Sequence, residues 1–372
     1  MSILKVDAIR HNSATSDAIT MASDGTCTAK ITNNLSNRRI NINGGMQIWQ
    51  RSISLSVSEG TNEGVTACDR HGFEFGNASA GAATISRSTD VPTNLGFPYS
   101  FKIDVTTLNN MSAANTQIRM PYRFEAQDIV SSGWKYNDSS SFLTISFYFK
   151  SNKSGTNKLP LQIRTFDGTA YFYIAEITQS DTNWNRYTVK IPGNSNLTFD
   201  NDNNMGLEVA WYFAVGSTYH TTADTWGTTQ KHGTSNSTNY FDSTSNDMFI
   251  TGIQIESTTN GIATDFEYRS FAEEKKRCER YYQTYSYTTL MGSISGQVGT
   301  PRILFPTEMR ATPSVTTEYG SNGNGTFRNQ NNGSTLTGNT TFNYYTNGFD
   351  CRGNNGSANI IYSSTYKANA EL

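Results

Sequence analysis

Two kinds of side chain in this sequence could do chemistry: carboxylates at close spacing, and aromatic rings set among polar groups. Asp265 and Glu267 stand two residues apart on an extended segment, so both carboxyls share a face. Two acids held roughly 5–9 Å apart are what glycoside hydrolysis needs, and this pair is the candidate for it. The same segment runs straight into a helical pattern, where packing accounts for it equally well. Asp200-Asn201-Asp202-Asn203-Asn204 opens like a calcium loop, but the glycine that should follow is Met205 and the late bidentate acid is Trp211. The stretch therefore reads as a turn, with Asp200, Asp202 and Asn204 as calcium candidates only. No residue is assigned a catalytic role.

Other chemistries lack their signatures. The four histidines, His11, His71, His220 and His232, form no H-E-x-x-H, and none lies three or four residues from another. No G-x-S-x-G elbow and no Walker loop occurs. The glycine-rich run from Gly320 to Gly325 is followed by no helical pattern, which excludes dinucleotide binding, so no cofactor is expected. Cys27, Cys68, Cys278 and Cys351 are far apart with no C-x-x-C, and they read as isolated reduced thiols.

Binding has a better candidate. The segment from Tyr219 to Phe241 is long, polar and irregular, and its rings fall in no alternating pattern. Long loops of this kind on a rigid scaffold are where recognition concentrates. Tyr219, His220, Asp224, Trp226 and Lys231 combine flat rings with hydrogen-bond donors and acceptors, the set that sugar recognition wants. The competing reading folds Trp226 back to plug the edge of the scaffold, since large aromatics are more often buried than displayed. Trp49, Trp134, Trp184 and Trp211 read as structural.

The scaffold that must hold this loop is legible in period-two alternation. Of the 372 residues 12% are aromatic and only 16% charged, and Gly, Asn, Ser and Thr supply most of the rest. Such a chain is too aromatic for disorder, and it has no run near the ~18 apolar residues a spanning helix needs. Tyr99–Val105, Leu143–Phe149 and Leu207–Val215 alternate strictly, and further strands are expected at Gln117–Phe124, Leu161–Phe166, Tyr171–Thr178, Arg186–Ile191 and Phe249–Glu256. Together they imply an all-β jelly-roll sandwich over residues 41–269.

The flanks read differently. Residues 1–40 carry too few apolar side chains for a core of their own, with Asp24-Gly25 marking a hairpin. Ser270-Phe271-Ala272-Glu273 is a capping box opening one helix near residues 271–283, within a linking segment 270–284. Phe271, Cys278, Tyr281 and Tyr282 should form its apolar face, with the charges from Glu273 to Arg277 solvated. Residues 285–372 read as a smaller β-domain with a core from Phe342, Tyr344, Tyr345, Phe349, Ile360, Ile361, Tyr362 and Tyr366. The net charge of −2 gives no field for nucleic acid, and no secretory signal or membrane insertion is expected.

Several stretches resemble phage and prophage tail-fibre-like proteins. Asn43-Gly44-Gly45-Met46-Gln47-Ile48-Trp49-Gln50-Arg51 resembles the opening of their jelly-roll region, and Ala67-Cys68-Asp69-Arg70 resembles an A-D-R-W signature with His71 in place of Trp. Ile253-Gln254-Ile255-Glu256 and the block from Ala263 through Arg269-Ser270-Phe271 to Tyr281-Tyr282-Gln283 are the most specific. Leu4-Lys5-Val6-Asp7 is similar to virion-proximal segments of marine phage fibres, and the ending from Tyr366 to Leu372 looks like theirs. The resemblance implies a virion structural protein made in the host cytoplasm. It also implies a homotrimer, docked on a tail or virion adaptor protein through residues 1–40 and touching a host-surface glycan with its distal β-domains. Its motifs transfer no binding residues. A polysaccharide depolymerase tailspike, and a virion-decorating protein with no receptor role, are the alternatives.

Overall fold

The computed structural model describes residues 6–29, 37–61, 64, 67–78, 80–294, 297–299, 301–320, 324–336, 339–353 and 360–372. Near the N-terminus β1 (Ala8–Ile9), β2 (Ile19–Met21) and β3 (Cys27–Ala29) form a three-stranded antiparallel sheet. Asp24-Gly25 does sit in a hairpin, but the connection runs from Ala22 to Thr26 and only Gly25 takes a positive φ, +88°. Asp24 holds the turn by accepting the Thr26 N–H at 2.9 Å and its hydroxyl at 2.7 Å. None of the described side chains of this sheet is buried, as its composition demands.

The sandwich follows. Its first sheet contains β5 (Glu74–Gly76), β8 (Gln117–Glu125), β10 (Asn157–Thr165), β11 (Phe172–Gln179), β13 (Met205–Val215) and β14 (Trp226–Gly227), in the order β14-β11-β10-β13-β8-β5. The second contains β4 (Ser54–Ser58), β6 (Ala82–Ser88), β7 (Ser100–Thr107), β9 (Phe142–Ser151), β12 (Asn185–Pro192) and β15 (Asp247–Thr258), in the order β12-β9-β15-β7-β6-β4. All pairs are antiparallel, and each strand read from alternation is present. The short β4, β5, β6 and β14 and the one-turn helix α1 (Ala126–Val130) carry too little pattern to be read that way. Alternation places Leu207, Val209, Trp211 and Phe213 of β13 inward, opposite Phe101 and Ile103 of β7 and Ile145 and Phe147 of β9. Trp211 is fully buried, 5.5 Å edge-on from Phe147. Phe73 joins the two sheets, with Phe213 at 5.9 Å and Phe101 at 6.5 Å. Each ring of this size contributes about 1.5–3 kcal/mol by leaving water.

One end of the sandwich is closed by a buried polar seam. Asn43 is its hub: its Oδ1 accepts the N–H groups of Gln47 and Ile48, and its Nδ2 donates to the Ile48 and Asp69 carbonyls. A Cβ on Gly44 would run into the Ile253 carbonyl, so glycine is required where this loop crosses β15. His71 is buried beside Tyr122, ring centroids 5.2 Å apart, with Nε2 3.2 Å from the Asn43 carbonyl. It fills the place where the resemblance expects Trp.

Helix α2 (Phe271–Glu279) lies against this seam. Ser270 caps it as expected, its Oγ accepting the Glu273 N–H at 3.2 Å, but the Glu273 carboxylate pairs with Arg277 at 3.0 Å instead of reaching back. The helix ends at Glu279 and the chain enters β16 (Tyr282–Ile294). Of the expected apolar face, Cys278, Tyr281 and Tyr282 are buried, whereas Phe271 is 61% exposed. Glu274, expected on the solvated side, is buried, because Arg39 and the Asn43 N–H (2.8 Å) need an acceptor in the seam.

The C-terminal β-unit adds β17 (Gln297–Gly299), β18 (Ile303–Leu304), β19 (Ser314–Glu318), β20 (Phe327–Asn329), β21 (Thr335–Leu336), β22 (Asn339–Tyr345), β23 (Gly348–Gly353) and β24 (Ile360–Asn369). They pair in the order β18-β23-β17-β16-β24-β20-β21, with β19 on β24 and β22 on β23. Its core is Phe305, Met309, Val315, Phe349, Tyr366, Ala368 and Ala370, flanked by Tyr285, Tyr287 and Ile303. Of the side chains expected there, Phe349, Tyr362 and Tyr366 are buried, but Tyr344 and Ile361 face outward and others from β16 and β19 replace them. The side chains of Phe342, Ile360 and Cys351 lie outside the described set, as do residues 30–36 and part of the glycine-rich run. The unit is tied to the sandwich by ions. Arg280 pairs with Glu125 at 2.7 Å, Arg70 with Glu371, and the Arg123 guanidinium donates to the Leu372 carbonyl at 3.2 Å.

Candidate functional site

The 216–241 loop is a strap laid over the outer face of the first sheet. It leaves β13 at Gly216, makes a single 3-10 turn at Ser217–Tyr219, and returns to the sheet where the Tyr240 N–H meets the Phe213 carbonyl at 2.8 Å. The strap is folded on itself: the His232 N–H donates to the Tyr219 carbonyl and the Thr221 N–H to the Gly233 carbonyl, both at 2.9 Å. An aromatic stack pins it. Tyr212, on the outward side of β13, stacks with His232 at 4.9 Å and 15°, and Tyr219 covers His232 at 4.2 Å. Tyr212 Oη and Gln162 both reach His232 Nδ1, at 3.0 and 2.6 Å. Burial, with Arg119 and Arg164 nearby, pushes the His232 pKa down to about 3, so the ring is neutral.

Next to Tyr212, whose Oη takes Arg119 at 3.2 Å, Arg119 and Arg123 of β8 interleave with Glu208 of β13 and Glu74 of β5 at 2.6–3.0 Å. The two arginines hold the Glu74 carboxyl below its ordinary range against the opposing effect of burial. Within this set each arginine meets both carboxylates.

The five sugar-binding candidates do not converge. Trp226 is half-buried: its Nε1 donates to the Pro192 carbonyl at 2.9 Å and its ring lies 5.2 Å from Tyr173. It plugs the sandwich edge, as the competing reading had it. Asp224, at φ +62°, neighbours the same Tyr173, whose hydroxyl it accepts at 3.4 Å. At the other end of the strap Tyr219 packs on His232, and Lys231 Nζ is spent on the Thr218 carbonyl at 2.8 Å. His220 alone lines an open cleft of about 340 Å³, formed where the Met111–Ala114 turn meets the strap, together with Val215, Ser217, Ser237 and Asn239. Met111, Ser112, Ser237 and Asn239 belong to this cleft and were missed, because nothing local in the sequence says that the turn after β7 approaches the strap.

The acid pairs are used structurally. Glu267 accepts the N–H groups of Asn37, Arg38 and Arg39 at 2.7–2.9 Å and pairs with Arg269 at 3.2 Å. These partners hold its carboxyl below the ordinary range although burial opposes them. Asp265 is exposed, and its backbone carbonyl takes Arg38 and Gln254. Asp202 accepts both the N–H (3.0 Å) and the Nδ2 (2.5 Å) of Asn204, and the Asp200 N–H donates to Asp167 at 3.1 Å. This is turn geometry, and among the described residues no group of three or more His, Cys, Asp or Glu side chains is arranged to hold a metal.

No family model and no curated protein matches the chain. Solved structures similar to it include a family 16 carbohydrate-binding module, with TM-score 0.24 and 9% identity over 47% of this chain and 84% of that one. A CBM4 structure is similar with TM-score 0.28 and 8% identity over 59% and 99%. The CBM22-1 xylan-binding domain of Xyn10C from Paenibacillus barcinonensis is similar with TM-score 0.25 and 14% identity over 55% and 92%.

Proposed function

We propose that the chain is a non-enzymatic, trimeric appendage of a virus particle that binds a host-surface glycan through its sandwich, with residues 1–40 docking on a tail or virion adaptor protein. The observation that carries the binding part is the cleft of about 340 Å³ lined by the polar side chains of His220, Ser217, Ser237 and Asn239 together with the apolar Met111 and Val215. Hydroxyls, an imidazole and apolar side chains in one cleft suit a sugar ring, which has hydroxyls at its edge and C–H groups on its faces. Weak single-site binding is sufficient when three copies act together, since linkage can raise avidity by ~10²–10⁴. The particle role is supported by the tail-fibre resemblance from Ala263 to Gln283 and by the N-terminal sheet β1–β3, which buries none of its described side chains.

The test is saturable binding of the full-length protein to arrayed surface polysaccharides. Ser217→Arg, which projects a long side chain into the cleft, should weaken binding at least about tenfold. A protein that binds none of them, or whose binding ignores Ser217→Arg, is not a glycan binder at this cleft.

A further inference from the structure

The outer face of the second sheet carries a constellation that the strap does not touch. Across three adjacent strands the register places Lys150 (β9), Phe249 (β15) and Lys102 (β7) side by side, with Asp247 beside Asp104 two positions along. Phe249 is covered by the two ammonium groups, 5.4 and 5.7 Å from its centroid, and by the edge of Trp184 at 6.2 Å. Trp184 stays part-exposed in the turn before β12. Its Nε1 donates to Asp90 Oδ1 at 2.8 Å, and the other Asp90 oxygen takes Lys150 Nζ at 2.6 Å. Lys102 pairs with Asp247 at 3.0 Å. Asp90 is itself fixed, its N–H on Ser88 Oγ at 3.1 Å and its carbonyl taking Ser100 Oγ at 2.6 Å. The turn holding Trp184 is fixed by Asp181, which accepts the Asn183 N–H and Asn185 Nδ2, each at 2.8 Å.

We infer that this face is a second carbohydrate site, in which the Trp184 indole stacks under a neutral pyranose and the Lys150–Asp90 and Lys102–Asp247 pairs bind its hydroxyls and those of the next sugar. A sugar hydroxyl is both donor and acceptor, and a lysine beside a carboxylate answers both roles at once. The Lys150 and Lys102 backbones lie two strand spacings apart, about 10 Å, and their side chains converge over the one Phe249 ring, so polar groups border the indole on more than one side. The charge balance selects the ligand. Both lysines are matched by carboxylates and Asp104 adds a third acid, so neither lysine of the cluster waits for a phosphate, sulfate or carboxylate on the glycan. Ring stacking on a part-exposed indole demands an apolar sugar face, and the stack needs no induced fit because the indole and both pairs are already held. The inference rests on the glycan-binding reading but places the ligand on the opposite sheet from the cleft.

The experiment is fluorine NMR on the full-length protein labelled with fluorotryptophan. Five tryptophans give five resonances, and Trp184 is assigned by the one lost in Trp184→Phe. Neutral oligosaccharides of glucose, galactose, mannose and N-acetylglucosamine, and then sulfated and acidic oligosaccharides, are titrated in turn, with calorimetry in parallel. A saturable shift of the Trp184 resonance, retained in Ser217→Arg and weakened about tenfold or more by Asp90→Ala or Lys102→Ala, establishes the site. A saturable binding heat with the Trp184 resonance unmoved, abolished by Ser217→Arg, overturns this site and leaves the cleft standing. A shift given only by sulfated or acidic sugars overturns the neutral assignment. No heat and no shift with any sugar overturns both sites.

Discussion

Trp226 and Pro192 join the two sheets at their open edge: the indole Nε1 of Trp226, on edge strand β14, donates at 2.9 Å to the carbonyl of Pro192, the last residue of edge strand β12. The Tyr173 ring, 5.2 Å away, backs the indole from inside. A ring in this position is a closure, and its removal should be read in stability before it is read in binding. Trp226→Ala is expected to cost about 2–4 kcal/mol by urea unfolding, somewhat less than a fully buried aromatic, and Trp226→Phe about 1 kcal/mol for the lost hydrogen bond. Glycan affinity of the folded fraction should stay within about twofold, a change of under ~0.5 kcal/mol. A large affinity loss without a stability loss would return Trp226 to the ligand-binding set.

That outcome shows where local pattern stops informing. The alternating runs in β7, β9 and β13 were legible because a strand with one dry face writes its period into adjacent residues. A ring in an irregular segment has no such period, so whether Trp226 is displayed or folded back depends on Pro192, 34 residues away. The same holds at α2. Helical spacing alone puts Phe271 inside and Glu274 outside, but the seam that α2 packs against is polar, supplied by Arg39 and Asn43 from more than 200 positions upstream, and it takes the acid. The cleft is non-local on both sides, since the Met111 turn and the strap are separated by most of the sandwich.

Acid stability follows from two buried histidines. His71 and His232 both have their pKa pushed down to about 3, in each case first by burial and then by neighbouring arginines. Folded they are neutral, whereas unfolded they protonate near 6.5, so their contribution is full above pH ~6.5 and is lost as pH falls toward 3. Asp69 and Asp128 act oppositely. Burial raises both to about 6, so each holds its proton more tightly when folded and favours the fold as pH drops from ~6 to ~4. The expected unfolding free energy is therefore shallow in pH between about 6 and 4 and falls steeply below, at up to ~1.4 kcal/mol per pH unit per histidine. His232→Gln should flatten the steep limb, as measured by denaturant titrations across pH. A limb unchanged in that variant would assign the acid loss elsewhere.

Among the contacts that tie the C-terminal unit to the sandwich, Glu371 engages two arginines at once. Glu371 takes Arg70 and, at 3.3 Å, Arg51, while the Arg70 guanidinium lies 3.4 Å over the Tyr281 ring. Arg70 is 6% exposed, so losing its partner leaves a cation nearly dry. Glu371→Gln is expected to cost about 3–5 kcal/mol at this joint, the usual cost of breaking a buried pair from one side. Calorimetry should then separate the unfolding of the β16–β24 unit from that of the sandwich. A single unsplit transition at the parent temperature would mean the joint is held by the Arg280–Glu125 and Arg123–Leu372 contacts without Glu371.

The last expectation is that no bond is cleaved. Glycoside hydrolysis needs one carboxyl whose pKa is raised, within reach of a second that stays ionised, both facing a groove. Glu267 fails on the first count, since three backbone N–H groups and Arg269 hold it ionised below its ordinary range. Asp128 and Glu125 meet the electrostatic half of the requirement better than any pair foreseen. Burial and the Glu125 charge raise Asp128 to about 6, while Glu125 is lowered by Arg280 and the Tyr281 hydroxyl despite burial. They fail on access: the Glu125 side chain is fully buried, with Arg280 at 2.7 Å and Tyr281 Oη at 2.6 Å on its oxygens. Incubation of the protein with every polysaccharide it binds should release no new reducing ends, and Glu267→Gln should lower stability without any change in that null rate. Oligosaccharide release that disappears in Asp128→Asn would make the protein a depolymerase and place its acid on α1.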